Sequence, residues 1–187
     1  IVLLALIEAD GAASALDTWR GPIGEEHDFG LPDYDLEVKT TLREKREHWI
    51  SSIPQLMPTG DRSLYLVSIQ LTTAAIENGC TLPQLIEHAR TACKDHNAAF
   101  NNLLGHVGFR DRDSVLYTSR WTLRTPPAFH EVCSDFPAIT PQGLASVVQS
   151  PELITDLKYR IDLTNRTESP QLLSFSGNAI PEALSEP

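Results

Sequence analysis

The segment Asp35-Leu36-Glu37-Val38-Lys39-Thr40-Thr41 constrains this chain more than any other stretch. Polar and apolar residues alternate through it, and it ends in β-formers, so it reads as a strand. Successive side chains of a strand leave on opposite faces, which puts Asp35, Glu37 and Lys39 in one row and turns Val38 to the buried side. An acid–acid–base row on one face of a sheet needs a core behind it. Asp28 precedes Glu37 by nine residues, across a turn centred on Gly30 and Pro32. A hairpin-like return there would bring the Asp28 carboxylate beside that of Glu37.

The rest of the chain supplies what such a strand can pack against. Residues 1–18 predict a helix, with Leu3, Leu4, Ile7, Ala12 and Leu16 at roughly helical spacing and Gly11 as its weak point. His48 to Ser52 reads as a short strand and Ser63 to Gln70 as a stronger one. Thr81 with Gln84 three residues later is a capping-box pattern, and Pro83 falls in the first turn of the helix it opens. That helix carries Leu82, Leu85, Ile86, Ala89, Ala92, Cys93 and Phe100 on one face, with Gly105 as its stop. Val115 to Leu123, Phe129 to Cys133 and Leu157 to Leu163 predict three further strands, and from Asn165 the chain turns polar and frays at its end. Helix, strands, helix, strands is an α/β or α+β layout with a mixed sheet.

At 187 residues, 41% of them hydrophobic, the chain can bury one core. No apolar run reaches the roughly 18–20 residues of a spanning helix. The apolar start, Ile1 to Ile7, lacks the basic flank and cleavage site of a signal peptide. Because the first residue is Ile, the true N-terminus is expected upstream. Cys80, Cys93 and Cys133 are odd in number and unpaired in spacing, so they read as small core residues of a cytoplasmic protein. The net charge of −10 limits any phosphate-gripping surface to local clusters: Arg43, Lys45 and Arg46, or Arg110, Arg112, Arg120 and Arg124.

Two adjacent carboxylates, Asp28 and Glu37, with the backbone carbonyl of Val38 between Glu37 and Lys39, form a hard oxygen set suited to Mg²⁺ or Mn²⁺. Such an ion polarises a phosphoryl oxygen and acidifies a bound water. A lysine two residues on can stabilise the developing charge or orient the water. Asp33, in the literal Pro32-Asp33 pair, and Asp35 are the reserve candidates for the first acid; Asp33 reads as a turn residue and Asp35 as an edge-facing solvated acid. His27, beside a strand, reads as satisfying a backbone group or approaching a phosphate. Ser51, Ser52 and Gln55 read as caps or as site residues. Trp19, Trp49 and Trp121 are expected as core or interface aromatics rather than base-stacking platforms. His88, His96, His106 and His130 lack zinc-hydrolase spacing, and Gly21-Pro22-Ile23-Gly24 lacks the Lys and helix start of a P-loop.

His27-Asp28-Phe29, Glu37-Val38-Lys39-Thr40-Thr41, Ile50-Ser51-Ser52 and Gln55-Leu56 together resemble the PD-(D/E)XK nuclease superfamily. More narrowly the chain is similar to a bacterial branch found among phage-defence genes, which Trp19-Arg20-Gly21-Pro22, Asp135-Phe136-Pro137 and Tyr159-Arg160-Ile161-Asp162-Leu163 also fit. The resemblance implies a restriction-endonuclease-like domain over 1–164, a mixed sheet flanked by helices, followed by a polar tail over 165–187. It implies Asp28 and Glu37 as metal ligands, Lys39 as the catalytic lysine, and Gln55 as a polar residue lining the site. It further implies Mg²⁺-dependent endonuclease action on DNA, with RNA not separated from it, beside partner proteins of a defence system. Superfamily members usually carry a further Glu on the first helix, and Glu8 is the only acid near that place. The alternative is a catalytically inactive nuclease-fold module that assembles with proteins or binds nucleic acid.

Overall fold

The computed structural model describes residues 1–75, 78–175 and 181–185. Strand β4, Ser63–Thr73, is apolar on both faces, with Leu64 and Leu66 on one and Val67 and Ile69 on the other, so it must be covered from both sides. It takes the centre of a five-stranded mixed sheet. On one flank it runs parallel to β2, Tyr34–Thr41, which in turn pairs antiparallel with the two-residue β1, Phe29–Gly30. On the other flank it pairs antiparallel with β6, Ala128–Glu131, and, further along, with β5, Trp121–Leu123. Two more strands, β3 (Glu47–Ile50) and β7 (Tyr159–Asp162), form a separate antiparallel ribbon.

Helices α1 (Val2–Asp10), α2 (Ala12–Thr18), α3 (Leu82–Cys93) and α4 (Asn97–His106) cover one face of the sheet. Leu3, Leu6, Leu16, Ile86 and Phe100 there meet Leu36, Val67, Ile69 and Phe129 of the sheet. The opposite face is covered by the ribbon and neighbouring turns, through Ile50, Leu56, Val132, Phe136, Ile161 and Leu163 packed on Leu64 and Leu66. This is the expected α/β mixed sheet, with helices on one face and a β-ribbon completing the other. Beyond Leu66 the ribbon-side face of β4 turns polar, at Ser68 and Gln70, and there the ribbon is held by hydrogen bonds. Buried Arg46 donates to Ser68 O and Oγ (2.9 Å each), Thr125 Oγ1 (2.8 Å) and Pro126 O (2.8 Å). The Thr125 hydroxyl donates on to Gln70 Oε1 at 2.7 Å, and Gln70 Nε2 donates to Glu44 O at 2.9 Å. His48 Nε2 lies 2.8 Å from Ser68 Oγ.

Several elements differ from the sequence reading for identifiable reasons. The helix expected over 1–18 breaks at Gly11, where φ is 81°, a backbone that favours glycine. The helix opened by the Thr81–Gln84 capping box is interrupted at Lys94, and the chain restarts as α4. Gly105 lies inside α4; Gly108, with φ 83°, takes the left-handed position after it. The strand expected over Val115–Leu123 is a 3-10 turn over Asp111–Leu116 and only three residues of strand. Helix α5, Pro141–Val147, capped by Thr140, went unread because its only signals are that cap and one proline. In the expected tail, Leu173 and Leu184 enter the helical-side core, Phe175 stacks on Phe129, and a short helix α6 spans Glu182–Ser185. Cys80 and Cys93 are buried as expected, whereas Cys133 is exposed.

Arg46 is therefore a structural cation rather than part of a basic surface. Replacing it with Ala strands acceptors on Ser68, Thr125 and Pro126. We expect Arg46→Ala to lose about 3 kcal/mol of unfolding free energy in a urea titration, against less than about 0.5 kcal/mol for exposed Arg112→Ala.

Candidate metal centre

β1 ends the moment it is needed. Carried further back along the chain, its register on β2, Phe29 opposite Leu36 and Gly30 opposite Asp35, would set Asp28 against Glu37 and then His27 against Val38. The chain turns away instead, and the Asp28 side chain takes the vacant position, Oδ2 accepting from Val38 N at 2.8 Å. The N–H and C=O of one strand residue leave on the same edge, so the Val38 carbonyl emerges beside this carboxylate. Behind Asp28, its own carbonyl accepts from Arg20 N (2.9 Å) and Gly21 N (3.0 Å). The absence of a side chain at residue 21 leaves this carboxylate its place, since a Cβ there would lie 2.7 Å from Asp28 Oδ1. Sequence reasoning missed this role of Gly21, whose only signal was its place in the Trp19-Arg20-Gly21-Pro22 run.

Glu37 points to the ribbon side, 3% exposed, with Lys39 Nζ 2.6 Å from its Oε1. Burial nevertheless lifts its pKa to about 7; Lys39 opposes the rise and the Asp28 charge adds to it. Burial also raises the pKa of Asp28, against the pull of the Val38 amide and of Lys39. Asp28 and Val38 border an apolar cavity of about 580 Å³ shared with Trp19, Phe29, Phe100 and Leu104, which accounts for its poor solvation. Across the sheet His48 is driven down to about 4 by burial and by the charges of Arg46 and Lys39, so its ring is neutral at ordinary pH.

The reserve acids fall away from this group. Asp35 is buried and held by Arg62, Nη2 to Oδ1 at 2.9 Å and Nε to Oδ2 at 3.2 Å, with His27 Nδ1 at 3.8 Å. It is thus an ion-paired structural acid rather than a solvated one, and His27 faces it rather than a backbone group. Asp33 is exposed in the turn and Glu8 is exposed on α1. Gln55 turns its Oε1 onto the Ser51 amide at 2.8 Å, tying a 3-10 turn to the end of β3; among the described residues no hydrogen bond joins it to Asp28, Glu37 or Lys39.

Two carboxylates with raised pKa values and a carbonyl on the same strand edge fit a hard dication, whose charge would stabilise both ionised forms. Among the described residues no cluster of three His, Cys, Asp or Glu side chains is formed, so water would complete the coordination, as Mg²⁺ commonly requires.

Two outcomes follow from this geometry. Glu37 has a folded pKa above its ordinary value of 4.5, so its contribution to stability is full below that value and is lost as pH rises to about 7. His48, depressed from 6.5, acts in the opposite sense and loses its contribution as pH falls toward 4. Urea unfolding at pH 5 and pH 8 should show the parent losing up to about 3 kcal/mol relative to Glu37→Gln; equal slopes would refute the buried-carboxyl account. Gly21→Ala should leave the fold intact while weakening Mn²⁺ binding, read by calorimetry, at least tenfold, because the new Cβ displaces Asp28.

A family model described as "Putative PD-(D/E)XK family member, (DUF4420)" matches residues 1–164. No curated protein and no solved structure matches the chain. With Asp28, Glu37 and Lys39 placed as above, and nearly the whole chain matched, the protein belongs to this PD-(D/E)XK nuclease family.

Proposed function

We propose that the chain is a divalent-metal-dependent endonuclease that hydrolyses phosphodiester bonds in DNA. The observation that carries this reading is the Asp28 carboxylate seated on the Val38 amide, beside a buried Glu37 and its Lys39 partner. Asp28, Glu37 and the Val38 carbonyl would hold Mg²⁺ or Mn²⁺. The ion, when bound, supplies charge for the phosphoryl oxygens and an acidified water. Lys39 is poised to donate to a non-bridging phosphate oxygen once Glu37 is engaged elsewhere, meeting charge as it develops in the transition state. The ribbon closes the inner side of the row and keeps that electrostatic field in a poorly solvated setting. Gln55 would act through its hold on Ser51, positioning the end of β3. A net charge of −10 favours a system in which partner proteins, as in a bacterial defence assembly, supply part of the DNA affinity.

The 2.6 Å ion pair between Lys39 and Glu37, and the two-carboxylate set, favour a second reading: an inactive nuclease-fold module that serves assembly. A cleavage assay on supercoiled DNA with Mn²⁺ decides between them. The nuclease reading expects nicking that Asp28→Ala and Glu37→Ala abolish and that Lys39→Ala lowers by about 10²–10³ in kcat, the usual scale for one transition-state donor. Cleavage unaffected by Lys39→Ala, or no Mn²⁺ bound by the folded parent, would sink it.

A further inference from the structure

The ribbon that lines the inner side of the site carries an unusual outer face. Its strands alternate cleanly: His48, Ile50 and Ile161 are buried against the sheet, while Trp49, Arg160 and Asp162 face out. Trp49 is 50% exposed and so is not a core aromatic. Trp19, by contrast, stacks between Phe29 and Phe100 inside the helical-side core. Two cations lie over the Trp49 ring, Lys158 Nζ at 5.0 Å and Arg160 Cζ at 5.1 Å from its centroid. The turn that feeds the ribbon adds Arg43 and Lys45. The carboxylates paired with these cations are Glu47 and Asp162. Glu47 is shared by Arg43 and Arg160 at 3.2 Å each, and Asp162 lies 3.7 Å from Lys45. Among the described residues no ion pair takes Lys158, which rests on the indole instead.

An exposed indole costs solvation unless something covers it, and the local cations are set against an acidic whole. From this arrangement we infer that the outer face of the β3–β7 ribbon is a binding surface for single-stranded nucleic acid. An unpaired base stacks on the exposed part of the Trp49 indole, and the flanking phosphates meet Lys158 and Arg160. Base stacking on an aromatic ring beside cations is how unpaired strands are held without sequence preference. A duplex offers no free base face to the indole, and an acidic peptide has no planar group that uses it. The inference rests on the nuclease reading and deepens it: the preferred substrate would be a single strand, or a duplex with an unpaired stretch, lying across the ribbon from the metal centre.

The test uses the full chain in EDTA, where no cleavage occurs, and reads fluorescence anisotropy of a labelled oligothymidylate. Binding by the parent is expected, weakened about tenfold or more in Trp49→Leu, which keeps apolar bulk but removes the π face. Lys158→Ala with Arg160→Ala should flatten the slope of log affinity against log salt by about 1.4, the value for two phosphate contacts on a single strand. Mn²⁺ binding by Trp49→Leu, unchanged from the parent, shows the fold and site intact. Equal affinity in parent and Trp49→Leu, equal binding of a blunt duplex, or displacement by polyglutamate as readily as by unlabelled oligothymidylate would overturn the inference. Failure of the nuclease reading looks different: the oligothymidylate would bind through Trp49 while no metal or conditions yield cleavage that depends on Lys39.

Discussion

A carboxylate held inside a folded chain must be neutralised by a proton, a cation or a ring of donors, and Glu37 has only a partial answer of this kind. Lys39 is in contact with it, yet its pKa stays near neutrality because burial outweighs that one ion pair. The surroundings make sense as the frame for this poorly satisfied acid. Leu66 of β4 sits beside it in the sheet, the ribbon covers it, and Asp28 brings a second negative charge toward it. A sequence selected for stability alone would place an apolar residue at position 37, in line with Leu64 and Leu66 across the same face. Keeping an acid there is the kind of local inconsistency that accompanies a binding site for positive charge.

The edge of β2 explains how so few residues build the centre. Two further residues of β1, Asp28 and then His27, would have brought main chain to the Val38 amide and left a continuous hairpin. Because β1 begins only at Phe29, that ladder position stays open, and a side chain fills it. That substitution fixes Asp28 with backbone precision, because its oxygen is registered to the strand that carries Glu37 and Lys39. It also requires the close approach of Gly21, so the loop before the acid is tied to the same geometry.

This much of the site was legible because it is local. Alternation fixed the faces of Glu37 and Lys39, and Gly30 with Pro32 marked the turn that returns Asp28. What escaped the sequence was set by distant partners. Asp35 shares the face of Glu37, and nothing near it shows that Arg62, at the entrance to β4, claims its carboxylate. Arg46 looked like surface charge in a basic run, but its guanidinium is the bolt between ribbon and sheet through Ser68 and Thr125. The helix break at Gly11 fell at the weak point the sequence marked, whereas the break at Lys94 and the 3-10 turn that replaces the expected strand near Val115 carried no local signal.

The ribbon joins these threads, since each of its two faces is committed to different chemistry. Inward, His48 and Arg46 meet Ser68 in a buried polar layer next to Lys39, and His48 is kept neutral there by burial and by the cations around it. As a neutral ring it can accept from the Ser68 hydroxyl without adding a further positive charge beside Arg46 and Lys39. Outward, the adjacent residue in the strand is Trp49, with its two cations. Strand alternation alone separates a buried polar interior from a cationic aromatic exterior by a single residue. An acidic protein of this size has few ways to hold phosphate near a pair of carboxylates without wasting its cations on them. Placing those cations one strand-face away, with Lys158 resting on an indole rather than on a carboxylate, is a geometry that keeps the two sets apart.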